Sequence, residues 1–474
     1  MADKPWLAHY DADVPASLYP YPEKTLLDYL DALAREHPSR PALLFKGSEV
    51  SYDQLQRESD AFAAALAALG VRHGDRVALI LPNCPQFLVA EIGAWKVGAV
   101  VCPINPTYTE REMEGALQAN TAETVVTLTP FYGRIKEVQP RTALRNVIAT
   151  SIKEHLPPAL RLLFTLFKEK QGGHRISLQK GDYWLQGLLR QHRNSSRPAG
   201  AVRPDDRAVI LASGGTTGIP KGVVGLHRHY VAAGLQLYEW TKSAKRPWVD
   251  SIMLPLPLFH VYANVGVQPL AFIGPNPLSL VPNPRDIDDL LKTIREVKPA
   301  FFNGVPTLYT AILNHKDVRA GKVDLSSIKL CFSGSAALMA ETKREFERVT
   351  GARIVEELSD RYGKAPEEVR NLVSFSLLKS LAAQAGVESI DRRQGFVNIK
   401  FHQQSKVDPF RLMNLVRSLE GAQFTPAGVL KLPLTGKEDP GTLLSEVRRT
   451  IQKLTADEGV PDKEQKRPAL VTRR

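Results

Sequence analysis

A chain of 474 residues with 43% hydrophobic and 24% charged side chains has the composition of an ordinary globular protein, long enough for roughly two to four domains. Its net charge of +12 suits an anionic partner, but the lysines and arginines are scattered, so charge alone selects none. Cys84, Cys102 and Cys331 lack metal-site spacing and cannot form a disulfide framework, no signal pattern opens the sequence, and no apolar run reaches the roughly 18 residues needed to span a bilayer; a cytoplasmic location is expected.

Leu26, Leu27, Tyr29, Leu30 and Leu33 mark the apolar face of a first helix. Residues 42–45 are strand-like, Lys46-Gly47-Ser48-Glu49 reads as a turn, and Ser51 is placed to cap a second helix. Residues 76–81 read as a buried strand, 86–97 as a helix and 100–104 as the next strand. Residues 124–128 and 146–150 continue the alternation, which predicts a layered α/β fold with parallel strands.

Residues 151–182 interrupt this pattern. The stretch 157–168 is short, strongly apolar and flanked by lysines. Two readings stay open: an interfacial helix making peripheral contact with the inner face of the membrane, or a helix buried on the protein itself. A linker-like stretch, 194–200, precedes a strand at 208–211.

Directly after that strand comes Ser213-Gly214-Gly215-Thr216-Thr217-Gly218-Ile219-Pro220-Lys221-Gly222. Glycines and small hydroxyls let backbone N–H groups close around phosphate oxygens, and a lysine adds a point charge. The run matches neither G-x-x-x-x-G-K-[ST] nor G-x-G-x-x-G. It resembles the signature loop of adenylate-forming enzymes, the acyl-CoA synthetase and luciferase superfamily.

Three further segments follow in that family's order. Pro255-Leu256-Pro257-Leu258-Phe259-His260 is similar to its P-L-F-H segment. Alone, His260 reads as a packed core histidine; the resemblance implies a histidine beside the acyl-substrate pocket. Phe301-Phe302-Asn303-Gly304-Val305-Pro306-Thr307 is similar to the G-V-P-T segment, which implies Gly304 and Val305 on the carboxylate-substrate side. Read without the family, it is a strand ending in a proline turn. Cys331-Phe332-Ser333-Gly334-Ser335-Ala336-Ala337-Leu338 is similar to the S-G-G-A-P-L loop along the adenine, implying Gly334, Ser335 and Ala336 as nucleotide-binding positions. Ser335 replaces the usual glycine and Ala337 the usual proline, changes that stiffen or shift the loop.

The resemblance covers residues 20–355 and is greatest to long-chain fatty acid–CoA ligases. It implies ATP, Mg2+ and coenzyme A as cofactors and a fatty acid as substrate. A carboxylate would attack the α-phosphate of ATP, and the thiol of coenzyme A would then displace AMP. Thr216, Thr217 and Lys221 become the candidate catalytic side chains, stabilising charge on the leaving pyrophosphate. Ser213, Gly214, Gly215, Gly218 and Gly222 become the candidate cofactor-binding positions. No metal ligand is identified.

After Val355 the family pattern stops. Where G-Y-G-x-T-E is expected, the chain reads Glu356-Glu357-Leu358-Ser359-Asp360-Arg361-Tyr362-Gly363-Lys364. No later T-G-D occurs, Thr435-Gly436 being followed by Lys437, and the arginine hinge is absent. The segments 358–372, 377–382, 386–391 and 424–430 resemble instead the C-terminal domain of bacterial transcription-repair coupling factor. In that family the domain is not catalytic and makes regulatory contacts. Its translocase motor does not occur here, so no direct nucleic-acid binding is expected.

From the residues themselves, 356–450 reads as a small α+β unit with helices at 367–385, 412–419 and 443–454 and a strand at 396–401. The expected domains are 1–355, an incomplete acyl-CoA synthetase-like module; 356–455, the repair-factor-like domain; and 456–474, a disordered charged tail. Two functions are carried forward. One is a fatty acid–CoA ligase-like enzyme, impaired or inactive in a truncated, chimeric chain. The other is a non-catalytic module contacting repair proteins through 356–455.

Overall fold

The computed structural model describes residues 10, 13–212 and 222–356, and the backbone of four strands between residues 387 and 433. The chain divides into two compact units, the first made of Met1–Gly215 and Pro220–Glu357 and the second chiefly of Leu358–Arg474.

The strands of the first unit are β1 (Pro41–Phe45), β2 (Ser48–Ser51), β3 (Arg76–Ile80), β4 (Val100–Pro103), β5 (Thr124–Leu128), β6 (Asn146–Thr150) and β7 (Tyr183–Trp184). They continue as β8 (Arg207–Ala212), β9 (Gly222–Leu226), β10 (Ile252–Leu254), β11 (Leu278–Leu280), β12 (Phe301–Gly304), β13 (Leu330–Ser333) and β14 (Arg353–Glu356). One seven-stranded sheet has the order β14-β13-β12-β10-β11-β1-β2, and a second has the order β7-β6-β5-β3-β4-β8-β9. Strand pairs are parallel except β1–β2 and β8–β9, each at a sheet edge. The parallel α/β expectation holds. The supposed four-residue turn at 46–49 is tighter than expected. Lys46 and Gly47, with φ of 51° and 82°, make the hairpin alone, and Ser48 already begins β2.

Successive strand residues point to opposite faces, so alternate side chains enter different cores. Ile252, Leu254 and Phe301 of the first sheet meet Val77, Leu79 and Val209 of the second in one large core between the sheets. The helices Tyr52–Ala68, Pro85–Lys96 and His227–Thr241 lie in that layer. Met253, Phe302 and Ile354 face the other way, onto helices Ile287–Val297, Pro306–Asn314 and Ala340–Thr350. Ala78, Ile80 and Val125 do the same for helices Glu110–Asn120 and Tyr132–Val138. The result is five layers, helix, sheet, helix, sheet, helix, with both parallel sheets covered on both faces.

Local sequence explains the element ends. Ser51 Oγ accepts from Gln54 N at 3.1 Å, capping the second helix as anticipated. Pro306 occupies the first turn of a helix rather than closing a turn, a position where its missing N–H costs nothing. The helix Pro85–Lys96 is buried at every residue, so its two charges need partners. Lys96 Nζ donates to Asp60 Oδ1 at 2.7 Å and to Ser59 Oγ at 2.8 Å. Glu91 accepts from Asn264 Nδ2 and Gln268 Nε2, both at 2.7 Å.

The segment 157–168 forms the helix Pro158–Leu163 continued by a π-helical turn, Phe164–Lys168. It is not buried on the protein: none of its residues is buried, and its leucines are exposed. The self-burial reading is thereby corrected. Among the described residues, no helix is long and apolar enough to cross a membrane.

In the second unit, β15 (Val387–Arg393), β16 (Phe396–Phe401), β17 (Gln423–Phe424) and β18 (Val429–Pro433) form an antiparallel sheet of order β15-β16-β18-β17. The strand expected at 396–401 is β16. The expected helices at 367–385, 412–419 and 443–454, and the tail 456–474, lie outside the described residues.

Candidate functional site

The glycine-rich run joins β8 to β9. Ala212 pairs with Gly222 across this antiparallel edge, so the backbone pins both ends of the loop together. Ser213, Gly214, Gly215, Thr216, Thr217, Gly218 and Lys221 lie outside the described residues. At Gly222, a β-carbon would lie 2.9 Å from Ile210 Cγ2 on the paired strand, so the close crossing needs glycine. Behind β8, Trp95 Nε1 donates to Ala208 O at 2.9 Å, and its ring makes edge contacts with Tyr230 and His227.

The other three segments meet at the carboxyl ends of β12 and β13. These strands are parallel neighbours with Gly304 opposite Ser333, and Gly334 N donates to Gly304 O at 3.2 Å. A β-carbon on Gly334 would lie 2.7 Å from Tyr262 Cε1, so the ring two residues past His260 packs directly on the loop. A β-carbon on Gly304 would lie 2.9 Å from the Tyr309 ring, whose hydroxyl donates to Phe332 O at 2.6 Å. His260 is exposed and is not a packed core histidine; Val305 is half-buried, and Ser335 and Ala336 are exposed. Gly304, Gly334, Tyr262 and Tyr309 thus tie three distant stretches of sequence into one end of the first sheet.

Ser335 takes φ of 69°, the left-handed conformation that glycine adopts without strain. The serine therefore holds a backbone conformation that carries an energetic cost for a residue with a side chain. Ser335→Gly is expected to stabilise the protein by up to about 1 kcal/mol, read as a shift in urea midpoint. A lower midpoint would mean that the serine side chain is itself held by the fold.

Sequence reading missed the residues that hold this end in place. Asn83, just past the end of β3, is buried. Its Nδ2 donates to Leu254 O and Leu256 O at 3.0 and 2.7 Å, and its Oδ1 accepts from Leu258 N at 2.8 Å. It stitches the end of β3 to the stretch leading into His260. Glu91 does the same from below, through Asn264 and Gln268, and the Tyr230 hydroxyl donates to Asn264 Oδ1. Burial pushes the Glu91 carboxyl up to about 7, against the two amide hydrogen bonds, which lower it. The available signal was a lone carboxylate in an otherwise apolar helix. Among the described residues, no group of three or more His, Cys, Asp or Glu is placed to hold a metal ion.

Residues 30–364 match the profile of the AMP-binding enzyme family, and residues 341–412 match the TRCF domain. The two matches overlap at 341–364, around the point where the sequence changes character. A long-chain-fatty-acid–CoA ligase of Bacillus subtilis is 33% identical over 356 residues, covering 75% of this chain and 63% of that protein. The corresponding ligase of Escherichia coli O157:H7 is 31% identical over 359 residues, covering 74% of this chain and 63% of that protein. The chain thus spans 63% of the length of these relatives. Among solved structures, the long-chain-fatty-acid–CoA ligase of Archaeoglobus fulgidus superposes with a TM-score of 0.59 at 22% identity, over 73% of this chain and 65% of that one. An anthranilate CoA ligase in complex with anthranoyl-AMP superposes with a TM-score of 0.60 at 20% identity, over 86% and 77% of the two chains. These structures share the fold, and the family match covers the glycine-rich loop and all three segments that converge at β12 and β13. By that match, this chain belongs to the AMP-binding enzyme family.

Proposed function

We propose that the first unit is the nucleotide- and carboxylate-binding part of a cytoplasmic long-chain fatty acid–CoA ligase. The observation that carries this reading is the family match over 30–364, supported by ligases of that substrate class among the relatives. In this reading a fatty carboxylate oxygen attacks the α-phosphorus of ATP, the bond to the bridging oxygen breaks, and pyrophosphate leaves. The thiol of coenzyme A then displaces AMP from the acyl carbon.

Thr216, Thr217 and Lys221, with backbone N–H groups of Ser213, Gly214, Gly215 and Gly218, would hold the phosphates while charge builds on pyrophosphate. Gly222 would close that loop. His260, Gly304 and Val305 would face the acyl substrate, and Gly334, Ser335 and Ala336 the adenine. The residues fit a nucleotide in one testable respect. The Ser333 hydroxyl is buried without a partner at the base of the adenine loop, and Gly334 beside it carries no side chain. Mg2+, when bound, would neutralise phosphate charge; no protein ligand is assigned to it, nor any residue to coenzyme A.

From residue 356 onward the sequence lacks the G-Y-G-x-T-E, T-G-D and hinge motifs. Phosphate grip is therefore expected without efficient turnover. The purified chain should bind ATP weakly, Lys221→Ala should weaken that binding about tenfold, and fatty-acid-dependent ATP–pyrophosphate exchange should stay near background. Robust exchange would show the absent motifs to be dispensable. No ATP binding by folded protein would sink the nucleotide-binding reading.

The TRCF match favours a second reading, in which residues 356–455 contact repair proteins and 456–474 form a tail. Failure of the full chain to capture nucleotide-excision-repair proteins would remove it.

A further inference from the structure

Ser151 follows directly on β6, and the turn Ile152–His155 comes next. Beside them lies a cavity of about 800 Å³, whose lining also draws on the helices Tyr52–Ala68 and Leu185–Gln191 and on residues 174–176. The carboxyl end of a parallel strand is where open α/β sheets take ligands. Three strands, β5, β3 and β4, stand between β6 and β8. At the usual spacing of neighbouring strands, β6 is about 19 Å along the sheet from the strand that delivers the glycine-rich loop. The helix Pro158–Leu163 gives the cavity only Arg161, and none of its exposed leucines, so the lining faces a solute rather than a lipid.

The lining has a surplus of positive charge. It carries six lysine and arginine side chains against three glutamates. Three of the cations are already neutralised: Lys153 Nζ donates to Glu169 Oε1 at 2.6 Å, Arg161 pairs with Glu154, and Arg57 pairs with Asp53. The third glutamate, Glu58, accepts from His155 Nε2 at 3.0 Å. Arg175, Arg190 and Arg193 remain, and among the described residues none of them meets a carboxylate. Arg190 donates through Nε to Gln186 O at 3.2 Å, which leaves both terminal nitrogens.

Two further groups define the rest of the ligand. Ser151 is 4% exposed, and among the described residues its hydroxyl has no hydrogen-bond partner. The His155 side chain is 8% exposed, and its Nδ1 has none either. Both residues line the cavity. A carboxylate only accepts, so His155 Nε2 carries the proton donated to Glu58. Nδ1 then offers a lone pair to a hydroxyl or, once the ring is charged, an N–H to an anionic oxygen. Buried polar atoms without partners are uncommon, and two at one cavity mark a place for hydroxyl groups.

We propose that this cavity binds a soluble phosphate monoester carrying hydroxyl groups, a compound of the sugar-phosphate class, with its phosphate against Arg175, Arg190 and Arg193 and its hydroxyls on Ser151 Oγ and His155 Nδ1. Guanidinium forks match phosphate oxygens two at a time. The volume suits a small organic ligand and is far larger than phosphate alone would fill. The site is separate from the glycine-rich loop, and the proposal does not depend on the ligase reading, because binding is read without turnover.

The test is calorimetric titration of the full chain with ribose 5-phosphate, glycerol 3-phosphate, ribose and inorganic phosphate. At least one of the two phosphate esters is expected to bind, less tightly as salt is raised. Ribose should not bind, and inorganic phosphate should bind about tenfold or more weakly than that ester. A variant with Arg175→Ala, Arg190→Ala and Arg193→Ala should lose about tenfold or more of the ester affinity. Ser151→Ala should weaken the ester and leave inorganic phosphate unchanged. The three arginines are exposed, and far-ultraviolet circular dichroism confirms folding of each variant. Lys221→Ala, which alters the glycine-rich loop, should leave ester binding unchanged. Binding of neither ester by the folded chain, or unchanged binding by the arginine variant, would overturn the site. Equal affinity for the ester and inorganic phosphate would overturn the hydroxyl contacts and with them the sugar-phosphate class. A loss with Lys221→Ala as large as with the arginine variant would place the ligand at the glycine-rich loop and overturn the cavity assignment.

Discussion

Replacing Trp95 by alanine is expected to cost about 3–5 kcal/mol of stability, the range for truncating a large aromatic in a core that cannot collapse. Trp95 is fully buried in the helix layer between the two sheets. Its ring sits edge-on to Tyr230 at 5.0 Å and to His227 at 5.5 Å between centroids. Every residue of its own helix is buried, so no surface side chain can relax into the void. The substitution also strips the Ala208 carbonyl of its indole donor. Trp95→Phe separates the two terms: it keeps most of the volume and loses the hydrogen bond, for roughly 1–2 kcal/mol. Urea titration of the full chain and both variants measures this. Equal losses for alanine and phenylalanine would show that the hydrogen bond, rather than packing, dominates. The location gives the loss a functional side. Ala208 lies on β8, the strand that delivers the glycine-rich loop, so the alanine variant should lose ATP binding at temperatures where it is still folded.

Glu91→Gln is expected to remove a pH dependence from stability. The folded protein holds this carboxyl at about 7, against an ordinary value of 4.5, because burial disfavours the charged form. Between those two values the folded state keeps a proton that the unfolded state has released. Stability from this group is therefore full below about pH 4.5 and is lost as pH rises through 7. The loss at pH 8 is roughly 3 kcal/mol, taken from the size of that shift. Glutamine stays neutral throughout. It also finds a partner: Gln268 Oε1 is buried and unbonded, so a turned Gln268 carboxamide accepts from the new amide. The glutamine variant should match the wild type near pH 5 and exceed it at pH 8. Parallel stability curves for the two proteins would show that Glu91 does not titrate in this range. Asn264 and Gln268 follow His260 closely in the chain, so an ionised Glu91 sits beneath the elements that position the candidate acyl side.

Local signals in the sequence were sufficient wherever neighbouring residues decide the outcome. The run at 76–81 read as a buried strand, those at 124–128 and 146–150 continued the alternation, and β3, β5 and β6 form there, in a parallel sheet covered on both faces. Ser51 capped its helix because a hydroxyl three residues before a free N–H needs nothing else. The glycine-rich loop was recognisable from composition, and its strand-flanked position followed. The family followed from the same loop and from three segments in fixed order.

What the sequence left open depends on contacts between distant residues. Proline 306 read as a turn because nothing nearby says that a helix begins at its ring; the packing of Leu308 and Ile312 on the first sheet supplies that. Asn83, Glu91, Asn264 and Gln268 look like ordinary polar residues until the fold brings β3, the central helix and the stretch after His260 together. The stretch 157–168 could be read as buried or interfacial because its leucines have one hydrophobicity in either place. Polar anchors at Lys153, Glu154 and Glu169 decided which way those leucines point, since an ion pair fixes the orientation of a helix that its own sequence cannot. The type of each element was thus written locally, and its partners and direction were set only by tertiary packing, where the free energy of burial and of satisfied polar groups is settled.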